Sequence, residues 1–262
     1  MKEQPVCVIP PMKLTQFDPD YDGGFNQQKV LHDMDKLCRR IGSMQELLYA
    51  NRKHALVLLF QGLDTSGKDS AAKCVLQYVN PAGVQTSNFI TPSSEEAAHD
   101  FLWRIHKAVP KYGNIGVFNR SHYEDILVPQ VMKILPKPVW EQRYEQINLF
   151  EEYLSKNNII LLKFFLHISP AEQKKRLIER REDLTKQWKY GGDDHHTNHH
   201  KLDFRRAHEE MINRCSPSFA PWHVIPSNKK WYRNYLIAMI VLNELERLRM
   251  TWPTLKKSSK KN

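Results

Sequence analysis

The stretch ALVLLFQGLDTSGKDSAAKCVLQYV, Ala55–Val79, decides the fold. Its first six residues are uniformly apolar and read as a strand buried on both faces. The run GLDTSGKD that follows fits G-x-x-x-x-G-K at Gly62, Gly67 and Lys68. In such a loop, backbone N–H groups wrap a phosphate and the lysine reaches the next one. Thr65, Ser66, Asp69 and Ser70 complete the candidate phosphate cradle. The Ala-rich segment after it is helix-like, so the loop opens a helix whose N-terminus favours anions.

One position departs from the usual pattern. Lys68 is followed by Asp69, where a serine or threonine ordinarily holds magnesium, and Ser70 comes one place late. The ion must then be held by other hard oxygens, for which Asp64 and Asp69 are the candidates inside the loop.

Outward from this unit, strands and helices alternate. Gln27–Ala50 carries Val30, Leu31, Met34, Leu37, Ile41, Met44, Leu47 and Leu48 at helical spacing. Val84–Ile90 and Ile115–Phe118 read as strands, with one helix predicted over Ser93–Ala108 between them. Val139–Lys156 reads as a helix, Ile159–Ile168 as a strand, and Pro170–Tyr190 as a highly charged helix. Lys201–Asn213 is a further helix candidate, His223–Ile225 a last strand and Trp231–Met250 a closing helix. Such alternation predicts an α/β fold, a parallel sheet covered on both faces. One domain spanning residues 1–262 is expected, with an arm over 1–26 and a solvated, disordered basic tail over 254–262.

A second motif, FNRSHYED at Phe118–Asp125, leaves the end of the predicted strand Ile115–Phe118. Ligands of parallel sheets sit beyond the carboxyl ends of the strands, so this motif and the loop can converge on one cleft. Arg120 offers a planar fork of donors to developing phosphoryl charge, with Asn119 as a further phosphate donor. Glu124 and Asp125 are acids available for magnesium or for orienting an acceptor.

Composition narrows the partners. Lys and Arg number 39 against 29 Asp and Glu, a formal net charge of +10, which favours a polyanionic partner. No apolar run is long enough to span a membrane, and the N-terminal residues lack a signal-peptide core. Cys7, Cys38, Cys74 and Cys215 are widely spaced and read as free thiols of a reducing cytoplasm. A guanine-reading N-K-x-D is absent, since NKKW at Asn228–Trp231 ends in tryptophan. No helix-turn-helix or RNA-stacking signature marks a specific nucleic-acid reader.

The runs GLDTSGKD, LWRIHKAVP, GVFNRSHYEDIL, LKFFLHIS and APWHVIPSNKKWYRN resemble the family-2 polyphosphate kinases. The resemblance extends from about Phe17 to about Trp252. It implies a thymidylate-kinase-like P-loop fold with a helical lid over about residues 170–215, magnesium dependence, and a homo-oligomer. The implied reaction passes the terminal phosphoryl group of polyphosphate to adenine or guanine nucleotides. In that family Asp69 is the normal residue after the lysine, and the magnesium roles map onto Asp64 and Asp125. Lys68 and Arg120 would stabilise the transferring group. The acidic Glu124 resembles the groups that use nucleoside monophosphates, so AMP is expected as an acceptor, with ADP to ATP conversion as well.

Three further features have two readings each. Arg176 and Arg180 share a helix face; the residues alone allow a solvated ion-paired helix, whereas the resemblance makes them lid contacts to phosphate. Trp103 and Arg104 either border the acceptor's base or, for Trp103, belong to the core. The histidines of DDHHTNHH, Asp193–His200, fit an exposed loop better than a structural zinc site. An ATP-dependent nucleotide kinase and a non-catalytic nucleotide-binding P-loop protein are the competing functions.

Overall fold

A computed structural model of the chain describes residues 7–185, 187–189 and 200–254. Five strands form one parallel sheet: β1 (Ala55–Gln61), β2 (Val84–Asn88), β3 (Ile115–Asn119), β4 (Ile159–His167) and β5 (Trp222–Pro226), in the order β2-β3-β1-β4-β5. Nine α-helices are described: α1 (Gln27–Asn51), α2 (Lys68–Val75), α3 (Ser94–Ala97), α4 (Trp103–Ala108), α5 (Glu124–Met132), α6 (Lys137–Lys156), α7 (Pro170–Glu182), α8 (Lys201–Arg214) and α9 (Lys230–Arg247).

Every residue of the central strand β1 is buried, as its apolar composition requires. Its side chains alternate between two cores. Leu56, Leu58 and Phe60 join Ile41, Ala71, Val75 and Val241 under α1, α2 and α9. Val57 and Leu59 join Ile126, Tyr144, Ile147 and Met211 under α5, α6 and α8. The helix after β1 therefore lies on one face and those after β3 on the other. Because β1 and β3 are neighbours, paired from Leu56–Ile115 to Phe60–Asn119, a crevice opens between their carboxyl ends.

The elements differ from the sequence reading at four places. The helix predicted over Ser93–Ala108 is two short ones, because Asp100 Oδ1 accepts from Leu102 N at 3.0 Å and turns the chain between them. The charged helix predicted to reach Tyr190 stops at Glu182, where Asp183 caps it in extended backbone and takes the Thr185 N–H instead. Helix α5 was not anticipated, since Pro129 stands inside it. A proline there leaves the carbonyl four residues back, that of Asp125, without its helical donor, and Arg143 Nη1 supplies one at 2.5 Å. Finally, within the expected lid region, Phe204, Ala207, Met211 and Ile212 of α8 pack into the core.

The N-terminal arm is not a loose extension over its described part. Val8 N donates to Trp222 O at 2.9 Å, and Met12, Leu14 and Phe17 are buried. His195, His196, His199, Lys186 and the tail residues 255–262 lie outside the described residues. His200 faces Asp203 at 3.6 Å, and among the described residues no group of three or more His, Cys, Asp or Glu is placed to hold a metal. Nor does any described helix have the length and apolar character to cross a membrane.

Candidate active site

The loop Gly62–Gly67 leaves β1 in a shape that only its glycines allow. Gly67 has φ 97°, and a Cβ there would stand 2.0 Å from Arg233 Nη1; at Gly62, φ 146°, it would meet the Leu166 carbonyl at 2.8 Å. The outside of the loop is braced by two guanidinium groups. Arg176 Nη1 donates to Thr65 O at 3.1 Å and Ser66 O at 3.2 Å, its Nη2 to Ser227 O and Asn228 O, and its Nε to Glu172. Arg233 Nη1 donates to Ser66 O at 3.1 Å and its Nη2 to Ser70 Oγ at 3.0 Å. Burial lowers the Arg233 pKa to about 10, an effect increased by nearby Arg176.

Lys68 folds across the loop, with Nζ donating to Gly62 O at 2.9 Å. Burial depresses its pKa and Arg120 adds to this, while Asp64, Glu124 and Asp69 oppose it. Asp69 accepts a hydrogen bond from the Asn119 side-chain amide, which joins the loop to the second motif. Alongside runs a cavity of about 600 Å³ whose wall includes Phe60, Lys68, Asp69, Lys73, Thr86 and Asn119.

The second motif reaches the same place. Arg120 sits in left-handed backbone, φ 59°, with its N–H bonded to Phe60 O at 3.0 Å, so the ends of β1 and β3 are tied. Its guanidinium lies between two carboxylates, 3.4 Å from Asp64 and 3.9 Å from Glu124. Burial raises the pKa of Glu124; Arg120, Lys68 and a hydrogen bond from Gln61 pull it back only in part. Ser70 Oγ donates to Gly67 O, and Thr65 Oγ1 to Asp64 O. Ser66 Oγ is buried without a hydrogen-bond partner, a donor left over inside the loop.

Several expected site residues stand elsewhere or serve otherwise. Arg176 is 6% exposed, and all five of its N–H groups are taken by carbonyls and Glu172, so it shapes the loop from behind rather than facing a phosphate chain. Asp125 turns its carboxylate to Arg104 Nη2 at 2.9 Å, in a buried ion pair rather than beside Asp64 and Arg120. Arg104 is thereby committed, its Nη1 donating to Ile90 O at 2.8 Å. Trp103 is half-buried and stacks on His99 at 4.0 Å with Lys107 over its ring. Arg180 is half-buried on α7. Arg233 was missed, although it lies inside the run APWHVIPSNKKWYRN; no local pattern says that an arginine of α9 reaches Ser70 and Ser66, 163 and 167 residues earlier.

The family model of polyphosphate kinase 2 (PPK2) matches residues 25–251. The chain belongs to the polyphosphate kinase 2 family. A curated relative from Meiothermus ruber, AMP/ADP-polyphosphate phosphotransferase, is 42% identical over 95% of this chain and 94% of its own length. The ADP-polyphosphate phosphotransferase of Rhodopseudomonas palustris is 34% identical over 91% of this chain and 86% of its own. The crystal structure of polyphosphate kinase 2 from Arthrobacter aurescens TC1 superposes with a TM-score of 0.92 at 36% identity, covering 96% of this chain and 91% of that one. The sheet and its flanking helices are thus those of a P-loop-kinase-like polyphosphate kinase 2, and the chain is a phosphotransferase.

Proposed function

We propose that this polyphosphate kinase 2 transfers the terminal phosphoryl group of inorganic polyphosphate to AMP, giving ADP, and to ADP, giving ATP, with magnesium. The observation that carries the reading is the convergence of Lys68, Arg120, Asp64 and Glu124 at the crevice between β1 and β3. Two cations stand where phosphoryl charge spreads, and two carboxylates stand beside them. Lys68 swings from Gly62 O to a phosphate oxygen when the loop is filled, exchanging a neutral acceptor for a charged one. Arg120 spans acceptor and transferring group, stabilising charge as it moves between them. The similarity to an AMP/ADP-polyphosphate phosphotransferase over nearly the full length of both chains supports both acceptors.

The donor set fits magnesium. Asp64 and Glu124 are hard carboxylates on either side of Arg120, and an ion that keeps several waters needs only one or two of them. Asp125, bound to Arg104, is replaced in this role by Glu124. When bound, the ion would neutralise phosphate charge and hold the chain in line.

The test supplies polyphosphate, magnesium and either AMP or ADP, without ATP, and separates the nucleotide products. ADP from AMP and ATP from ADP are expected. Formation of ATP from ADP alone would remove the monophosphate acceptor, and turnover of AMP with ATP but not with polyphosphate would make the protein an ordinary nucleotide kinase.

A further inference from the structure

Behind the second motif lies a fully buried charged cluster that phosphoryl transfer does not itself employ. Lys163 on β4 and Glu151 on α6 are both 0% exposed, with Nζ and Oε2 2.5 Å apart. All three ammonium protons are used: the other two go to Tyr123 OH at 3.0 Å and Cys215 O at 2.8 Å. Glu151 Oε1 in turn accepts from Tyr123 OH at 2.7 Å and from His122 Nε2 at 3.1 Å. A carboxylate only accepts, so Nε2 carries the hydrogen, and His122 Nδ1 is left buried without a partner. The attraction of Lys163 and the His122 bond outweigh the burial that would neutralise Glu151 and keep its carboxylate ionised.

A charged pair in an apolar core is not a device for stability, because well-packed apolar residues of similar volume serve at least as well. Such a pair does fix geometry, since every charged atom must meet its partner at hydrogen-bond distance. Here the parts held are His122 and Tyr123, which lie between Arg120 and Glu124. Ser121, the remaining residue of that turn, is held from the opposite side, its Oγ accepting from Gln61 Nε2 at 3.3 Å. Three successive buried residues are therefore anchored, and the two that flank them emerge into the crevice on either side of the anchor. Arg120 also occupies left-handed backbone, which an arginine keeps only when its surroundings over-determine it.

We propose that Glu151 and Lys163, acting through the Tyr123 hydroxyl and His122, are positioning residues that set Arg120 and Glu124 for phosphoryl transfer. The proposal rests on the roles given to Arg120 and Glu124 above. It predicts a loss in kcat with little change in KM, because substrates still meet the loop and its cradle while the group that follows the transition state is misplaced.

The experiment compares the wild-type protein with Tyr123→Phe, with the double variant Glu151→Gln/Lys163→Met, and with each of these combined with Arg120→Lys. Polyphosphate and AMP are the substrates, and thermal melting checks folding. Tyr123→Phe removes one hydroxyl and retains the ring, so it keeps the test available if the double variant fails to fold. Expected is a kcat lowered about 10- to 100-fold with both KM values within about threefold. The Arg120→Lys penalty should also shrink in the Tyr123→Phe background, the non-additivity of residues acting as a unit. Wild-type kcat in a folded Tyr123→Phe variant, or penalties that simply multiply, would overturn the proposal. Absence of any wild-type turnover would instead overturn the reading of the site, and the positioning role with it.

Discussion

Arg176 and Arg233 donate to the same atom, the carbonyl oxygen of Ser66, at 3.2 and 3.1 Å. One guanidinium comes from α7 and the other from α9, so two distant helices fix the outer wall of the phosphate loop. Inside the loop, the Ser66 N–H closes a tight turn on Leu63 O at 3.1 Å.

Arg176→Ala is expected to lower stability by about 2–4 kcal/mol, because it leaves several buried carbonyls without donors. Activity should fall equally with short and long polyphosphate, since the loop itself is deformed. Thermal melts and a chain-length series check this. An unchanged melting temperature with a loss confined to long chains would return Arg176 to the role of a lid contact.

Lys68→Met should abolish most turnover, about 10²-fold or more, and leave the melting temperature unchanged or higher. The pKa of Lys68 is lowered on folding, so the folded state holds fewer protons there than the unfolded one. Wild-type stability should therefore rise with pH between the depressed value and the ordinary lysine range, and the methionine variant should lack that rise. Denaturation curves from neutral to alkaline pH measure it.

Asp64→Asn and Asp125→Asn separate a ligand from a brace. The first should raise the magnesium concentration needed for half-maximal rate by about tenfold and leave folding intact. The second removes the carboxylate that Arg104 meets at 2.9 Å, leaving it Glu96 at 3.9 Å, and should cost about 1–3 kcal/mol of stability, with the magnesium midpoint unchanged. A shifted midpoint in Asp125→Asn alone would reverse the assignment.

Glu124→Gln should depress use of AMP more than use of ADP. Its raised pKa means that the folded state takes up a proton before the unfolded state as pH falls. Stability from Glu124 thus declines as pH rises from the ordinary carboxylate range through the raised value, and the variant should be as stable as wild type at neutral pH or more so. The acid limb of the wild-type rate profile should lie above the ordinary carboxylate range and flatten in the variant. A profile identical in both proteins would remove Glu124 from the reaction.

Much of the site was legible in the chain because it is local. Gly62, Gly67 and Lys68 act through backbone shape within eight residues, and an apolar strand before them and a helix after them are visible as composition. The second motif could be placed beside the loop because parallel topology sends every strand's carboxyl end to one edge. The two short helices in place of one, and α5 across Pro129, were hidden because a single side-chain-to-backbone bond or a tertiary donor such as Arg143 decided them.

Sequence by itself determined the sheet, the phosphate loop and the chemical types gathered at the crevice, since these follow from periodicity, glycine geometry and charge over short spans. Tertiary structure alone decided which of two adjacent acids faces Arg120, Glu124 at 3.9 Å while Asp125 pairs with Arg104, and which arginines shape the loop. It also brought Lys163, Glu151 and Tyr123 together across 40 residues of chain. The physical reason is that a charge is assigned its role by the partner it meets in a desolvated interior, and such partners are chosen by packing between distant segments.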